Sequence, residues 1–389
     1  DTDMARTVML CPRGYYWSFL SKRAYILGIE SSCDDTGAAL LDSNGKVLGE
    51  SLRIQSSSRF GGVIPSIAMG RHARALPQVV DTAMGSTSFS SLRAIAISNQ
   101  PGLKGSLAMG IDYAKYLSIK YDVPLIPIHH MEAHALTPRF IYPDLTFPYL
   151  FLLISGGHCI LGVVSQLDDF KILGYSPDSP GEALDKVARA LKLNVLDSSL
   201  KDVSGGKCIE MVALNGNPKA YEFPIPLMHK RSCNFSFSGL KSKSIEMASG
   251  LSQRDQVSDF CASFQYAIGR HICMRLQRAL EYVDLVQLMT DRKLVVSGGV
   301  ACNKTLRSYI DKIASTYGYD TYYPPPQYCT DNGLMIAWNG IEKMRAGWEM
   351  VQPKNALSIQ PLPRGKFGTN ISDSVIEKNI SCKWIKIIS

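Results

Sequence analysis

Short apolar runs separated by small polar turns set the pattern of the chain. Tyr25-Ile26-Leu27-Gly28-Ile29-Glu30 reads as a buried strand, residues 36–41 as a second, and Asp42-Ser43-Asn44-Gly45 as the turn into a third. The link between the first two strands, residues 31–35, is small and polar. The same succession returns later: an apolar strand at 149–154, the turn Ser155-Gly156-Gly157-His158, a returning strand at 159–164 and a third strand at 170–173. This is a repeat of shape more than of letters. Between the two units, residues 64–84 have helical periodicity, 94–98 read as a buried strand, 106–120 as a helix and 124–128 as another buried strand. After the second unit come helical stretches at 181–193 and 255–286. A strand at 293–297 then runs into Gly298-Gly299-Val300-Ala301-Cys302-Asn303 and a helix.

This order predicts an α/β chain with two hairpin-plus-βαβ lobes around a central cleft, the arrangement of the actin-like, sugar-kinase-like ATPase fold. A plain doubly wound sheet with insertions is the alternative. The expected divisions are a leader at 1–24, an N-terminal lobe at 25–146, a C-terminal lobe at 147–330, a helix closing the cleft at 331–348 and a weakly structured tail at 349–389.

Composition narrows the class. At 389 residues and 46% hydrophobic, the chain is long enough for two cores. No apolar run approaches the roughly 20 residues that span a bilayer, so no membrane insertion is expected. Ten cysteines without a CxxC pair suit a reducing compartment better than a disulfide framework. The formal charge is +8, of which residues 1–24 supply +2, leaving +6 on the remainder. That suggests a polyanionic partner without requiring one. Residues 4–27 carry Arg6, Arg13, Lys22 and Arg23, no acid, and interleaved aromatics, which reads as a mitochondrial presequence.

His130 and His134, four apart, follow the 124–128 strand, so both project from one helix face at a strand's carboxyl end. They can share a metal ion with positions left open for a third ligand and a substrate, or serve as hydrogen-bonded partners in a helix-capping network. Glu132 falls on the wrong face for a zincin base. Ser155-Gly156-Gly157 has no bulk to keep its backbone from an anion. Asp34, in the first polar turn, is a candidate for orienting a nucleophile or an Asx-turn residue. Asn303, after a Gly-Gly turn, offers an amide to a flat ligand. Asp185 either accepts a ribose hydroxyl or pairs with Arg189 on the helix surface. Neither a P-loop nor a Rossmann glycine motif is present.

The segments GIESSCDDTGAALLD, GGVIPSIAMGRH, PLIPIHHMEAHAL, LLISGGHCIL, PGEALDKVARAL, FSFSGLKS, VVSGGVACNKTLR and CTDNGLMIAWNG occur here in a fixed order. In that order the chain resembles the universal tRNA N6-adenosine threonylcarbamoyltransferase family, also known by the older label O-sialoglycoprotein endopeptidase. With its basic leader it looks most like the animal mitochondrial branch. The resemblance implies transfer of a threonylcarbamoyl group from threonylcarbamoyl-AMP to N6 of the adenosine 3′ of the anticodon, in mitochondrial tRNAs reading codons that begin with A. AMP is released. It implies a matrix enzyme with one divalent cation per subunit, zinc or iron, on His130, His134 and Asp331. It places the adenylate at Leu153, Ile154, Ser155, Gly156, Gly157, Asp185, Gly206, Glu210 and Asn303, with Asp34 as the acid of the first turn. The partners are tRNA and the adenylate, and the resemblance admits a homodimer. Arg71, Arg74, Lys115, Lys186, Arg189, Lys241 and Lys243 are candidate tRNA contacts. The chain departs from the family at Gln100-Pro101-Gly102, at Ala68-Met69-Gly70-Arg71-His72 and at Ser204-Gly205-Gly206. A metal-dependent glycoprotease and a non-catalytic ATP-binding partner of a tRNA-modifying complex are the rival functions.

Overall fold

The computed structural model describes residues 25–55, 63–201, 203–251 and 253–388. The expected leader at 1–24 therefore lies outside the described residues. The described residues divide into two compact units, one running up to residue 140 with 331–366, the other of 141–330 with the residues from 367 onward.

In the first unit β1 (Tyr25–Glu30), β2 (Thr36–Asp42) and β3 (Val47–Arg53) form an antiparallel meander. Helix α1 (Pro65–Met84) follows, then β4 (Leu92–Gln100), α2 (Lys104–Tyr121), β5 (Leu125–His129) and α3 (His130–Ile141). The sheet order is β3-β2-β1-β4-β5, with β4 and β5 parallel to β1. β1 and β2 are buried on both faces, as their continuous apolar runs require, whereas edge strand β3 alternates exposure along its length. Their core includes Leu27, Ile29, Leu40, Val80, Ile97 and Ile111. A later helix, α11 (Gly333–Arg345), returns to this unit and packs on β1 and β2. The approach is backbone to backbone. A Cβ on Gly28 would run into Ala337 and Gly333, and one on Gly333 into Ala38. So the helix expected to close a cleft forms part of the first unit's own packing.

The second unit repeats the plan. Strands β6 (Tyr149–Ile154), β7 (Cys159–Gln166) and β8 (Asp169–Tyr175) form the meander. After them come α4 (Pro180–Ala190), α5 (Leu193–Leu196), α6 (Gly205–Ala213), α7 (Ser238–Ala248) and α8 (Arg254–Val286). β9 (Lys293–Ser297), α9 (Lys304–Thr316), β10 (Asp320–Tyr322) and α10 (Pro326–Cys329) complete the return. The order β10-β9-β6-β7-β8-β11 contains the first sheet's arrangement, with a short parallel edge strand β11 (Thr369–Asn370) added. Helix α8 runs through the core and carries three buried polar anchors. His271 Nε2 accepts from Ser236 N at 3.1 Å, and Arg275 and Arg278 donate to carbonyls of residues 226–232.

Residues 349–389, expected as a weakly structured tail, are built into both units. Ala356 and Ile359 are buried in the first core. Val375, on α12 (Ser372–Glu377), and Ile387 are buried in the second. Their apolar side chains are spaced without period, so each packs singly and leaves no pattern in the sequence.

Candidate functional site

In the first unit, β5 hands its chain directly to α3, and His130 and His134 fall on one face of that helix. Asp331 immediately precedes Asn332, whose side chain caps α11 by accepting from Met335 N at 2.8 Å. The helix contact with β1 and β2 thereby fixes where Asp331 projects. Its Oδ1 lies 3.0 Å from His134 Nε2 and 3.4 Å from His130 Nε2, and one ligand atom from each residue lies within 4.8 Å of the others.

Behind this group stands Glu30, with no exposed surface, at the end of β1. Its Oε2 is 3.1 Å from His130 Nδ1, and Ser32 Oγ is equally close to that nitrogen. A proton on Nδ1, donated to the Glu30 carboxylate, leaves the Nε2 lone pair aimed at Asp331. That is the orientation a metal-binding imidazole needs, and two imidazoles with one carboxylate suit zinc or iron. The residues fit a divalent cation. Burial opposes charge on His130, but Asp331 and Glu30 overcome it and push the imidazole up to about 10. Burial also works against charge on Asp331, yet His130 and His134 hold its carboxyl well below the usual range.

The first turn adds further acids. Asp34 is half-buried there, and both Asp34 and Asp331 act electrostatically on Asp35. Burial, reinforced by those two carboxylates and Glu30, pushes Asp35 up to about 7 against a hydrogen bond from Gln55 N. From α1, His72 Nε2 reaches the Cys33 carbonyl at 3.0 Å and its Nδ1 reaches Thr36 Oγ1 at 2.8 Å, which pins the turn. Sequence reasoning missed Glu30, Asp35 and His72. A signal existed for Glu30 alone: an acid inside a run buried on both faces must have a polar partner. Glu132 pairs with buried Lys343 at 2.9 Å, away from any role as a base.

In the second unit, Leu153 and Ile154 are buried in β6. Ser155 Oγ accepts from Gly157 N at 3.2 Å and His158 N at 3.0 Å. The turn thus spends on its own serine two of the N–H groups expected to form an anion nest. The Ser179 hydroxyl caps α4 and donates to Gly156 O, while Gly181 N donates to Ser155 O. Asp185, partly buried in α4, accepts from Gly206 N at 3.0 Å, and burial raises its carboxyl. Glu210 is buried in α6. Its Oε1 accepts from Lys304 N at 2.7 Å and its Oε2 pairs with Lys207 at 2.7 Å. Asn303 caps α9 through Leu306 N at 2.9 Å and donates to Gln265 at 2.7 Å. Its amide therefore anchors the helix instead of lying open to a flat ligand. Asp185, Gly206, Glu210 and Asn303 share one neighbourhood through α4, α6 and the turn before α9.

Of the candidate tRNA contacts, Arg74 and Arg189 are exposed and Arg71 is half-buried. Lys186 and Lys241 both pair with Glu182, at 2.6 and 3.3 Å, Lys243 pairs with Glu246, and Lys115 with Asp112. No helix among the described residues is long and apolar enough to cross a membrane.

The duplicated meander with its parallel returns is the actin-like, sugar-kinase-like ATPase fold. The crystal structure of T. kodakarensis HypF shares this fold. It covers 83% of the present chain and 48% of its own at a TM-score of 0.51 and 16% identity. The family model for tRNA N6-adenosine threonylcarbamoyltransferase matches residues 46–338. The mitochondrial enzyme of that name from Xenopus tropicalis is 43% identical over 380 residues, 94% of this chain and 93% of its own. That of Homo sapiens is 39% identical over 381 residues, 93% and 90%, and the Anaplasma marginale enzyme 40% over 347 residues, 88% and 97%. The chain belongs to the tRNA N6-adenosine threonylcarbamoyltransferase family, and it is a transferase of tRNA modification.

Proposed function

We propose that this enzyme takes its threonylcarbamoyl group from threonylcarbamoyl-AMP and delivers it to the adenosine 3′ of the anticodon in mitochondrial tRNAs reading codons that begin with A. The observation that carries this reading is the convergence of His130 Nε2 and His134 Nε2 on Asp331, with Glu30 behind His130. A divalent cation, zinc or iron, bound there would polarise the carbonyl under attack and offset its developing charge. His130, His134 and Asp331 would hold the cation, and Glu30 would fix the tautomer of His130. Asp34 orients the attacking amine by accepting a hydrogen bond from it. The adenylate belongs to the second unit: Leu153 to Gly157 border it, Asp185 faces the ribose hydroxyls, and Gly206, Glu210 and Asn303 shape the wall.

The test is purified protein with threonylcarbamoyl-AMP and an unmodified tRNA transcript, read by nucleoside mass spectrometry. His130→Ala and Asp331→Ala should each abolish transfer while circular dichroism stays that of the wild type. Near-normal transfer with unchanged metal content in either variant removes the metal assignment. The acid-free stretch at 4–27 and the mitochondrial names of the frog and human relatives support a matrix location. A reporter fused to residues 4–27 should enter mitochondria, and a cytosolic reporter would refute import by this segment.

A further inference from the structure

Two arginines of α8 lie beneath the turn at residues 226–232. Arg275 has no exposed surface, and Arg278 is nearly as deep. Arg275 donates to the carbonyls of Pro226, Leu227, Lys230 and Ser232 at 2.6 to 3.0 Å, and Arg278 to those of Lys230 and Ser232 at 3.1 and 3.0 Å. Glu281, the next acid along α8, is engaged by Tyr317 and Gln277. Among the described residues neither guanidinium forms an ion pair. Carbonyl dipoles solvate the two cations without cancelling their charge, and the field reaches the surface above them.

The turn itself is held in place and adds charge of the same sign. Leu227 has φ 52°, a left-handed conformation that a leucine rarely adopts, and Arg275 holds its carbonyl. Lys230 N donates to Leu227 O at 2.9 Å and closes the turn. While these carbonyls are drawn inward, Met228, His229, Lys230 and Arg231 are all exposed. Residues 379–385 lie against the same stretch. Gln277 Nε2 donates to Lys383 O at 2.9 Å, the Arg278 guanidinium sits 5.0 Å from the Trp384 ring centroid, and Arg231 Nη1 donates to Asn379 O at 2.8 Å. Lys378 and Lys383, both exposed, flank these contacts. Residues 223–245 and 378–389 contain no acid; Glu222, Glu246 and Glu377 border them. A surface charged for solubility alone mixes both signs. Here cations are gathered on a framework already fixed before anything binds.

We propose that the turn at 228–231, with Lys378 and Lys383, contacts the phosphate backbone of the tRNA. The family's substrate is a polyanion, and a fixed cluster of cations above two buried guanidiniums complements it in charge. Such contacts position a nucleic acid without reading its sequence. Lys230 is the central member: its carbonyl fastens the turn to Arg275 and Arg278, while its residue stands exposed. Gln265, which holds Asn303, precedes Arg275 by ten residues on α8, about 15 Å along the helix. The turn is therefore near enough to the adenylate wall for one tRNA to reach both. That nearness, unlike the charge, rests on the adenylate assignment made above.

The experiment measures binding of an unmodified tRNA transcript by the purified full-length protein across a salt series, and transfer kinetics by nucleoside mass spectrometry. Lys230→Glu keeps the carbonyl that the arginines hold. Lys312→Glu makes the same change of net charge at an exposed position on α9 and serves as the control. Lys230→Glu should make the salt slope shallower by about one. It should raise KM for tRNA several-fold and leave kcat at saturating tRNA, AMP binding and the urea midpoint unchanged. Lys230→Arg should keep the wild-type slope, and Lys312→Glu should match the wild type throughout. Should the glutamate lower the urea midpoint, Lys230→Gln supplies the same comparison with half the charge change. A wild-type slope and KM in Lys230→Glu, or an equal loss in Lys312→Glu, overturns the surface. The salt slope needs no assumption about the donor. Wild-type protein that binds tRNA yet transfers nothing from threonylcarbamoyl-AMP therefore fails the proposed reaction, while parity of the two glutamate variants fails this surface alone.

Discussion

Glu30 shows how much one buried side chain can decide. Together with Ser32 Oγ, its carboxylate engages His130 Nδ1 and leaves Nε2 toward Asp331. Glu30→Gln keeps the shape but loses the charge that strengthens the Nδ1–H bond. Metal binding should weaken by about 10- to 100-fold, measured by competition with a chromophoric chelator, with circular dichroism unchanged; an unaltered affinity would remove Glu30 from the site. His271 is the opposite kind of buried residue, a neutral imidazole. Burial, with Arg275 beside it, lowers it from 6.5 to about 3, and its Nε2 must stay unprotonated to accept from Ser236 N. The unfolded chain therefore binds this proton more readily than the folded one. The stability that neutral His271 contributes is complete above pH 6.5 and drains away as pH falls toward about 3. Urea midpoints of wild type and His271→Gln should accordingly differ most at neutral pH and converge through that window. A constant gap would mean that the imidazole charge plays no part.

At the scale of elements, the contact of α11 with β1 and β2 joins packing to chemistry. Gly28→Ala places a methyl group against the backbone of Gly333 and Ala337. Overpacking of this kind costs about 1–3 kcal/mol, and α11 can relieve it only by shifting, which carries Asp331 along. We expect a lower urea midpoint and weaker metal binding together; a loss of stability with full metal affinity would show that the helix yields elsewhere. The elements themselves were largely legible in the sequence. β1, β2, β6 and β9 are apolar runs ended by small polar turns, and α3 begins where the histidine pair begins. What could not be read was direction. Spacing marked Asn303 and the 155–157 turn, but their donors and acceptors face inward, onto α9, Gln265 and the Ser155 hydroxyl. His72 and Asp35 take their roles from neighbours distant in sequence, and the singly packed side chains beyond residue 349 carry no period.

For the whole molecule, the charge of +8 matters through counterions. The logarithm of the tRNA affinity should fall linearly with the logarithm of salt concentration, while adenylate binding changes little. Lys186 is already paired with Glu182, whereas Arg189 is exposed at the end of α4. Arg189→Glu should therefore flatten the salt slope more than Lys186→Glu, and equal slopes in both variants and the wild type would put the tRNA elsewhere. A last consequence follows from the path of the chain. His134 and Asp331 meet in one compact unit, yet 197 positions separate them, and nearly all of that interval builds the other unit. A ribosome, or an import channel passing the chain amino end first, delivers both histidines long before their carboxylate. If the cation is held by the proposed His130, His134 and Asp331, tight loading waits until α11 has emerged, and a chain cut short before residue 331 would hold it only weakly. A fragment of residues 25–140 should bind zinc weakly by itself and gain affinity when a peptide of residues 331–366 is added, a complementation that calorimetry would register; tight binding by the fragment alone would mean that the histidines have found another third ligand.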